Sequence, residues 1–306
     1  MGNRLLALVG PTASGKSEAA MVVAERLGAE IVSVDSMTVY RGMDVGTAKP
    51  SPTDLARVRH HLVDVADPME EFSVARYQEL ARRALERVEA RGKDALLVGG
   101  TGLYFRAIVD ELAFPGTDPD TRRSLEAEAD SLGPESLYER LRDVDPDAAK
   151  KIEPSNVRRT VRALEVAAVT GRPFSSFAQD WERYADRGVR AAGVEVAPTI
   201  LAERIERRVR LQFEEGFVDE VRALVERGAG PSLTARQAIG YAEVIDHLAG
   251  TITLEEAVLR TVKRSRALAR RQMAWFRRDP RIQWFAAGHG GAIEIVDDLT
   301  EYLDGA

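Results

Sequence analysis

Gly10-Pro-Thr-Ala-Ser-Gly-Lys-Ser17 fits G-x-x-x-x-G-K-[ST], the pattern of the phosphate-binding P-loop, at every specified position. The apolar run Leu5–Val9 before it is typical of a buried parallel strand, and Ser17–Leu27 after it is typical of a helix. The glycines permit a tight turn that directs backbone N–H groups and a helix N-terminus at an anion. The sequence therefore predicts that phosphate is held by Gly10, Pro11, Thr12, Ala13, Ser14, Gly15, Lys16 and Ser17, and that Ser17 supplies a hydroxyl for Mg²⁺.

The composition is that of a globular protein with no membrane segment. Of its 306 residues, 44% are hydrophobic and 30% are charged, so disorder is not expected. No apolar run approaches the roughly 20 residues that span a bilayer, and Leu5–Val9 is too short for a signal peptide. The chain has no cysteine, which excludes disulfides, thiolate catalysis and cysteine-ligated zinc. We expect a cytoplasmic protein, and a monomer by default.

Charge is distributed unevenly along the chain. The net charge of −6 argues weakly against a nucleic-acid partner. However, Arg260–Arg281 carries nine bases and one acid, and Arg158–Arg172 carries four bases and one acid. Two interpretations of these basic stretches stay open, a footprint for a phosphate backbone or ordinary solvated helix faces.

Two further strands are predicted to end near the P-loop. Glu30–Val34 is followed by Asp35, and the strand Asp94–Val98 runs into the turn Gly99-Gly-Thr101-Gly-Leu-Tyr104. Because ligands bind at the carboxyl ends of parallel strands, Asp35 and Thr101 are expected beside the P-loop. Most P-loop NTPases have a Mg²⁺-binding aspartate at the end of such a strand, where this chain has two glycines. The sequence thus argues against an ordinary ATPase or GTPase.

The strand pattern stops between residues 115 and 187. Helical periodicity, interrupted by Gly-Pro and Asp-Pro, fills this segment, and Val189–Val196 is a candidate returning strand. We therefore predict an α/β fold whose P-loop NTPase-like parallel-sheet core is discontinuous, 1–114 plus 188–306, with a helical insertion at 115–187. The later elements are predicted as helices over Thr199–Arg227 with a break at Gly216, over Thr253–Arg277 and over Ala292–Leu303, a helix opened by Ala235–Tyr241, and a strand over Ile282–Ala286.

Two residue pairs allow more than one interpretation. His60 and His61 begin a predicted strand, His60–Val65, on which neighbours point to opposite faces, so a structural role is favoured over a metal site. Trp275 and Phe276 suit base stacking, but core packing is the commoner role for aromatic residues at this spacing.

An ordered set of segments resembles one family, the tRNA dimethylallyltransferases, also called tRNA isopentenyltransferases, of the compact bacterial type. The set spans nearly the whole chain and consists of Gly10–Ser17, Asp35-Ser-Met-Thr-Val-Tyr-Arg-Gly-Met-Asp-Val-Gly-Thr-Ala-Lys-Pro50, His60–Asp64, Val98–Tyr104, Arg158–Val166, Ala238-Ile-Gly-Tyr241 and Arg271-Gln-Met-Ala-Trp-Phe-Arg277. The resemblance implies transfer of a dimethylallyl group from dimethylallyl diphosphate to N6 of adenine 37, 3′ of the tRNA anticodon.

The resemblance also implies roles for individual residues. Asp35 and Thr101 match the catalytic pair, with Asp35 as the base for the adenine amine. An arginine beside Ala238–Tyr241 contacts the diphosphate, which here would be Arg236, with Arg222 nearby in sequence. Contacts with the anticodon stem-loop are implied for Asp35, Ser36, Met37, Thr38, Thr101, Arg123, Arg158, Arg159, Thr160, Val161, Arg162 and Ala163.

Some points depart from the family or leave alternatives. Thr38 stands where many members have a larger polar residue, often Gln, which affects the detail of base recognition rather than the reaction.

The competing functions are an adenylate isopentenyltransferase acting on AMP, a small-molecule P-loop kinase, and a non-catalytic nucleotide switch or RNA-binding module. The helical insertion and the Arg158–Arg162 cluster favour tRNA over AMP, because AMP needs no such clamp.

Overall fold

The computed structural model describes residues 3–181, 183–185, 188–227 and 233–305. The chain divides into two compact units, Met1–Asp110 with Asp186–Ala306, and Glu111–Ala185. The sequence expectation put the inserted segment at 115–187, so both observed boundaries lie a few residues earlier. The first unit is discontinuous because the chain leaves it after Asp110 and re-enters it before the strand that begins at Arg190.

The first unit is built on a parallel sheet. Within the described residues the sheet has six strands in the order β3-β2-β4-β1-β5-β6. All neighbours are parallel, and the returning strand pairs directly with the strand before the P-loop. The strands are β1 Leu5–Val9, β2 Glu30–Val34, β3 His60–His61, β4 Ala95–Gly99, β5 Arg190–Val196 and β6 Ile282–Ala287. The predicted α/β fold with a parallel sheet is confirmed.

Helices cover both faces of this sheet. They are α1 Lys16–Leu27, α2 Pro52–Arg57, α3 Val74–Ala90 and α4 Gly102–Val109 before the second unit, and α9 Pro198–Glu214, α10 Phe217–Glu226, α11 Leu233–Arg236, α12 Tyr241–Leu248, α13 Leu254–Phe276 and α14 Val296–Asp304 after it. The predicted break at Gly216 is confirmed, since this glycine adopts a left-handed φ of 98° between α9 and α10.

Three predicted elements differ in extent. The strand expected over His60–Val65 ends at His61, because Leu62 and Asp64 adopt φ angles of 65° and 57° that leave the extended region. The helix expected to open at Ala235 is a single turn that ends at Arg236, and the next helix starts at Tyr241 after Gly240, with φ 98°. The closing helix expected from Ala292 begins as a 3₁₀ turn, Gly291–Ile295.

Alternating side chains of the strands enter two separate cores. In β1, Ala7 and Val9 pack into one core with residues of α3, α4, α10 and α12. Leu6 and Leu8 point to the other face, into a core with residues of α1, α9, α13 and α14. The central strands are therefore buried on both faces, which fixes their carboxyl ends as a rigid edge for a site.

The second unit is helical. Its helices are α5 Pro119–Leu132, α6 Pro134–Val144, α7 Pro146–Ala149 and α8 Val157–Thr170, followed by a 3₁₀ segment, Phe174–Trp181. It has its own apolar core, which includes Leu125, Leu137, Leu141 and Leu164. Glu165 is fully buried beside this core and binds Arg122, Arg162 and the backbone N–H of Asp118, which together lower its pKa despite its burial.

Candidate active site

The P-loop has the geometry of an anion-binding turn. Gly15 adopts a left-handed conformation, φ 84°, and α1 starts at the next residue, so the N-terminal amides of α1 converge on the turn. Lys16 is buried and its Nζ donates a hydrogen bond to Pro11 O at 3.1 Å. Ser14 Oγ is fully buried and has no hydrogen-bond partner among the described residues. Ser17, in contrast, is exposed in the first turn of the helix.

Three charged side chains share the electrostatic environment of this turn. Burial lowers the pKa of Lys16 to about 8; Asp35 opposes this shift and Arg208 reinforces it. Burial also lowers the pKa of Arg208, again against the field of Asp35. The P-loop cation is therefore poorly solvated in the free protein, and an arriving polyanion would stabilise its charged form.

Asp35 and Thr101 meet at the carboxyl edge of the sheet. Val34 at the end of β2 pairs with Gly99 at the end of β4, and Thr101 N donates to Val34 O at 3.1 Å. Asp35 Oδ1 accepts a hydrogen bond from Met37 N at 2.8 Å, and Thr101 Oγ1 accepts one from Ser36 N at 3.2 Å. Thr101 occupies the N-cap position of α4 but forms no side-chain cap hydrogen bond, so its hydroxyl serves the Ser36 loop instead. The expected proximity of Asp35 and Thr101 is observed.

The loop that follows Asp35 is anchored to the fold. Thr38 is buried, its Oγ1 lies 2.9 Å from Ser33 Oγ, and its carbonyl accepts from Asp64 N at 3.2 Å. Lys49 Nζ donates to Tyr40 O at 2.8 Å and binds the carboxylates of Asp44 and Asp64. The Thr38 side chain therefore faces inward, and its hydroxyl is already paired with Ser33.

A carboxylate from helix α10 fixes the middle of this loop. Glu220 accepts hydrogen bonds from Asp44 N at 2.7 Å, Val45 N at 2.6 Å and Gly46 N at 3.2 Å. The Tyr241 hydroxyl donates to the same carboxylate at 2.7 Å. A Cβ at Gly46 would overlap the Phe217 ring, and one at Gly240 would lie 2.6 Å from that ring. The Ala238–Tyr241 motif thus supports the Ser36–Pro50 loop through Glu220.

Helix α9 supplies two arginines to the P-loop. Arg208 Nη1 donates to Thr12 Oγ1 at 2.9 Å, and Arg204 Nε donates to Ala13 O at 2.8 Å. Neither arginine is marked by a sequence motif, although their i, i+4 spacing on a predicted helix puts them on one face. Of the two arginines expected from the sequence to contact diphosphate, Arg236 is exposed at the end of α11 and Arg222 is exposed in an ion pair with Asp219.

In the second unit, the residues implied as RNA contacts separate into three groups. Arg123, Arg158 and Arg159 are exposed, and Arg123 pairs with Asp120. Arg162 donates to Pro115 O at 2.7 Å and Gly116 O at 3.0 Å and pairs with Glu165. The remaining side chains of the α8 motif are buried in the core of the unit and cannot reach a ligand without unpacking: Thr160, Val161 and Ala163.

Ion pairs neutralise part of the positive charge of the basic stretch Arg260–Arg281, which covers most of α13 and the residues after it. Four of the nine bases in Arg260–Arg281 form ion pairs: Arg264 with Glu243, Arg266 with Glu206, Arg277 with Glu195 and Arg281 with Asp110 and Asp279. Arg260, Lys263, Arg270, Arg271 and Arg278 are exposed. The available positive charge is therefore smaller than the sequence count indicates.

The structure indicates the roles of the two residue pairs that the sequence left open, Trp275 with Phe276 and His60 with His61. Phe276 is fully buried and packs edge-to-face on Phe105, so it is a core residue, whereas Trp275 is 37% exposed. His60 Nδ1 contacts Val58 O at 2.8 Å and His61 Nε2 contacts the Glu30 carboxylate at 2.7 Å. Both histidines thus have structural partners, and the described residues contain no group of three or more His, Asp or Glu side chains arranged to hold a metal.

The chain was compared with known proteins. A family model described as IPP transferase matches residues 38–279. A tRNA dimethylallyltransferase of Streptomyces coelicolor is 49% identical over 292 residues, 95% of this chain and 93% of that protein. The chain belongs to the IPP transferase family. A Geobacter metallireducens tRNA dimethylallyltransferase is also 49% identical, over 92% of each chain.

Solved structures of this family share the fold. The full-length tRNA isopentenylpyrophosphate transferase of Bacillus halodurans aligns with a TM-score of 0.72 at 39% identity, over 99% of this chain and 96% of that one. A eukaryotic dimethylallyltransferase acting on tRNA aligns with a TM-score of 0.78 at 25% identity, over 97% and 76%. The family resemblance seen in the motifs is confirmed. No helix among the described residues is long and apolar enough to cross a membrane.

Proposed function

We propose that this IPP transferase family member transfers a dimethylallyl group from dimethylallyl diphosphate to N6 of adenine 37 in tRNA and releases diphosphate. Relatives that share nearly half of its residues over more than nine-tenths of its length are named for this activity. The observation that carries the proposal is that Asp35 and the P-loop follow parallel strands at the same carboxyl edge of the sheet, where Asp35 acts electrostatically on Lys16 of the P-loop and Arg208 of α9. This arrangement puts an acceptor for a proton next to a cradle for a leaving anion.

On the donor side, the P-loop amides, Lys16 and Arg208 would hold the diphosphate. Negative charge grows on the bridging oxygen as the C–O bond to the allylic carbon breaks, and fixed donors and cations aimed at that oxygen lower the barrier. Arg208 is tied to Thr12 of the P-loop, which makes it better suited to this role than the exposed Arg236.

Magnesium fits this cradle. Mg²⁺ is usually held by one or two protein oxygens together with substrate phosphates, and the exposed hydroxyl of Ser17 adjoins Lys16 at the start of α1. Ser17 would hold the ion jointly with the diphosphate. When bound, Mg²⁺ neutralises part of the charge of the leaving group.

On the acceptor side, Asp35 would act on the adenine amine. The lone pair of N6 is delocalised into the ring, so attack on the allylic carbon is helped by a carboxylate that accepts the N6 proton as the C–N bond forms. The hydrogen bond from Met37 N to Oδ1 orients this carboxyl group. The Thr101 hydroxyl accepts a hydrogen bond from Ser36 N, next to Asp35 in the chain, and would help to orient Asp35 and the adenine amine.

Contacts with the anticodon stem-loop would come from both units. Single-stranded loop bases are the usual targets of sequence-specific RNA recognition, and a base that undergoes chemistry must leave its stack. Asp35, Ser36, Met37 and the backbone of Thr38 would contact the extruded base. The exposed Arg158 and Arg159 would contact backbone phosphate, and Arg123 would do so in exchange for its ion pair with Asp120. We further propose that the protein acts as a monomer in the cytoplasm.

A competition assay tests the function. The protein is incubated with labelled dimethylallyl diphosphate and Mg²⁺ in the presence of equal concentrations of unmodified tRNA and AMP. We expect label in tRNA and none in AMP. Label in AMP alone would contradict the proposal and favour an adenylate isopentenyltransferase. In a parallel reaction with ATP in place of dimethylallyl diphosphate, transfer of phosphate would favour a kinase.

A further inference from the structure

Three glycines surround Thr101, and two of them make room for one helix. A Cβ at Gly99 would overlap the backbone of Val34, as expected at the end of paired strands. A Cβ at Gly100 would instead overlap the side-chain amide of Gln272, and one at Gly102 would overlap the indole of Trp275. Both of these side chains belong to α13 and stand one turn apart on the same face.

Gln272 also holds the P-loop. Its Oε1 accepts the hydrogen bond of Thr12 N at 2.8 Å, while the hydroxyl of the same threonine is bound by Arg208 at 2.9 Å. The side chain is half-buried. One amide group is therefore in contact with the P-loop through its oxygen and with the Gly100 turn through its nitrogen.

We propose that Gln272 is a positioning residue that sets the separation between the P-loop and the turn bearing Thr101, with Trp275 fixing the register of α13 on that turn. The proposal rests on the proposed function, in which the P-loop holds the donor and the Asp35–Thr101 edge holds the acceptor. Reactions between two held groups are sensitive to their separation, and a displacement of about 1 Å can reduce the rate by on the order of 10²-fold. Gln272 touches neither reacting atom and acts through the backbone on both sides.

The first variant removes the bridge. Gln272→Ala leaves the Thr12 N–H without its acceptor and empties the space beside Gly100. We expect kcat for prenyl transfer to fall by about 10- to 100-fold, with the KM values for tRNA and for dimethylallyl diphosphate within about 3-fold of wild type. Gln283→Ala, which removes an exposed glutamine from β6, is the matched control and should keep wild-type kinetics. A wild-type kcat for Gln272→Ala would overturn the proposal.

A double-mutant cycle tests whether the contact of Gln272 with the Gly100 turn contributes to the same effect as the Gln272 side chain itself. In Gly100→Ala the new methyl group displaces the Gln272 amide, so this variant should lose kcat to a similar extent as Gln272→Ala. In the double variant the amide is gone and the nearest remaining contact of the new methyl group is Gly10 O, at 3.2 Å, so the combined loss should be close to that of Gln272→Ala alone. Additive losses would show that the residues act independently and would contradict the proposal.

Amide hydrogen exchange supplies a readout that does not depend on activity. The Thr12 amide should be protected in wild type and exchange faster in Gln272→Ala, whereas Gln272→Glu, whose carboxylate still accepts from Thr12 N, should retain protection. Equal exchange rates of the Thr12 amide in wild type and Gln272→Ala would show that Gln272 does not hold this N–H and would overturn the proposal. Lack of prenyl transfer by the wild-type protein would instead count against the proposed function, and the exchange result would still decide the hydrogen bond.

Discussion

At the scale of single residues, the site depends on charge held in poorly solvated surroundings. Lys16 is buried, and its pKa is lowered to about 8 mainly because burial disfavours the ammonium form. Asp35 offsets part of this cost, while Arg208 adds to it. A diphosphate in the P-loop would reverse the balance, since its charge stabilises both cations.

This balance predicts a pH dependence of donor binding. Below pH 8 Lys16 is protonated in the free protein, and above pH 8 it must take up a proton when the diphosphate anion binds. The affinity for dimethylallyl diphosphate should therefore fall as pH rises through about 8, approaching a tenfold loss per pH unit if one proton is taken up. Calorimetry at pH 9 in two buffers of different ionisation enthalpy measures this uptake. Identical heats in both buffers would contradict the prediction.

The two candidate diphosphate arginines can be separated by substitution. Arg208→Gln should raise the KM for dimethylallyl diphosphate and lower kcat, together by about 10²-fold in kcat/KM, because a cation beside the leaving group is lost. Arg236→Gln changes an exposed side chain and should remain within about 3-fold of wild type. Steady-state kinetics at saturating tRNA make the comparison. A larger loss of kcat/KM in Arg236→Gln than in Arg208→Gln would contradict this prediction and indicate that Arg236 contacts the diphosphate.

At the scale of elements, local sequence patterns predicted the turns, strand ends and helix breaks. They did not predict side-chain contacts between segments that are distant in sequence. The P-loop, the strand ends at Asp35 and Thr101 and the break at Gly216 follow from periodicity and glycine placement, and the structure agrees at these points. Gln272 and Arg208 could not be found this way, since their P-loop partner lies 260 and 196 residues away. Thr38 was expected to face RNA, but its hydroxyl pairs with Ser33, a contact that periodicity does not reveal.

The Glu220 contacts make a prediction about stability at this scale. Glu220→Ala removes the acceptor of three backbone N–H groups and of the Tyr241 hydroxyl, and should reduce the free energy of unfolding by about 2–4 kcal/mol. Tyr241→Phe removes one of these hydrogen bonds and should cost about 1 kcal/mol. Glu226→Ala, an exposed acid on the same helix, is the control. Urea unfolding that gives Glu220→Ala and Glu226→Ala equal stability would contradict this account of the loop.

At the scale of the whole molecule, a P-loop sheet serves group transfer to RNA. The strand that in most P-loop NTPases ends in a Mg²⁺-binding acid ends here in glycines packed against Val34 and Gln272, which leaves no carboxylate at that strand end. The second unit adds exposed arginines on a separately packed helical core. In the proposed function, the reacting groups lie in the first unit, and exposed arginines of the second unit add contacts to RNA phosphate.

That division predicts how tRNA binding responds to salt. Changing both Arg158 and Arg159 to alanine should weaken tRNA binding and reduce the slope of log K against log salt by roughly 1–2, because phosphate contacts release counterions. Transfer of label from saturating substrates should change little. Filter binding at several salt concentrations measures the slope. Wild-type affinity and slope would remove these arginines from the interface.

Mass spectrometry of tRNA tests the central claim most directly. Unmodified tRNA is incubated with the protein, dimethylallyl diphosphate and Mg²⁺, then digested and sequenced by mass. We expect one five-carbon prenyl group on adenosine 37, and a rate lower by orders of magnitude for Asp35→Asn, which keeps the shape of the side chain but cannot accept the proton. Unmodified tRNA after prolonged incubation with wild type, or an equal rate for Asp35→Asn, would contradict the account.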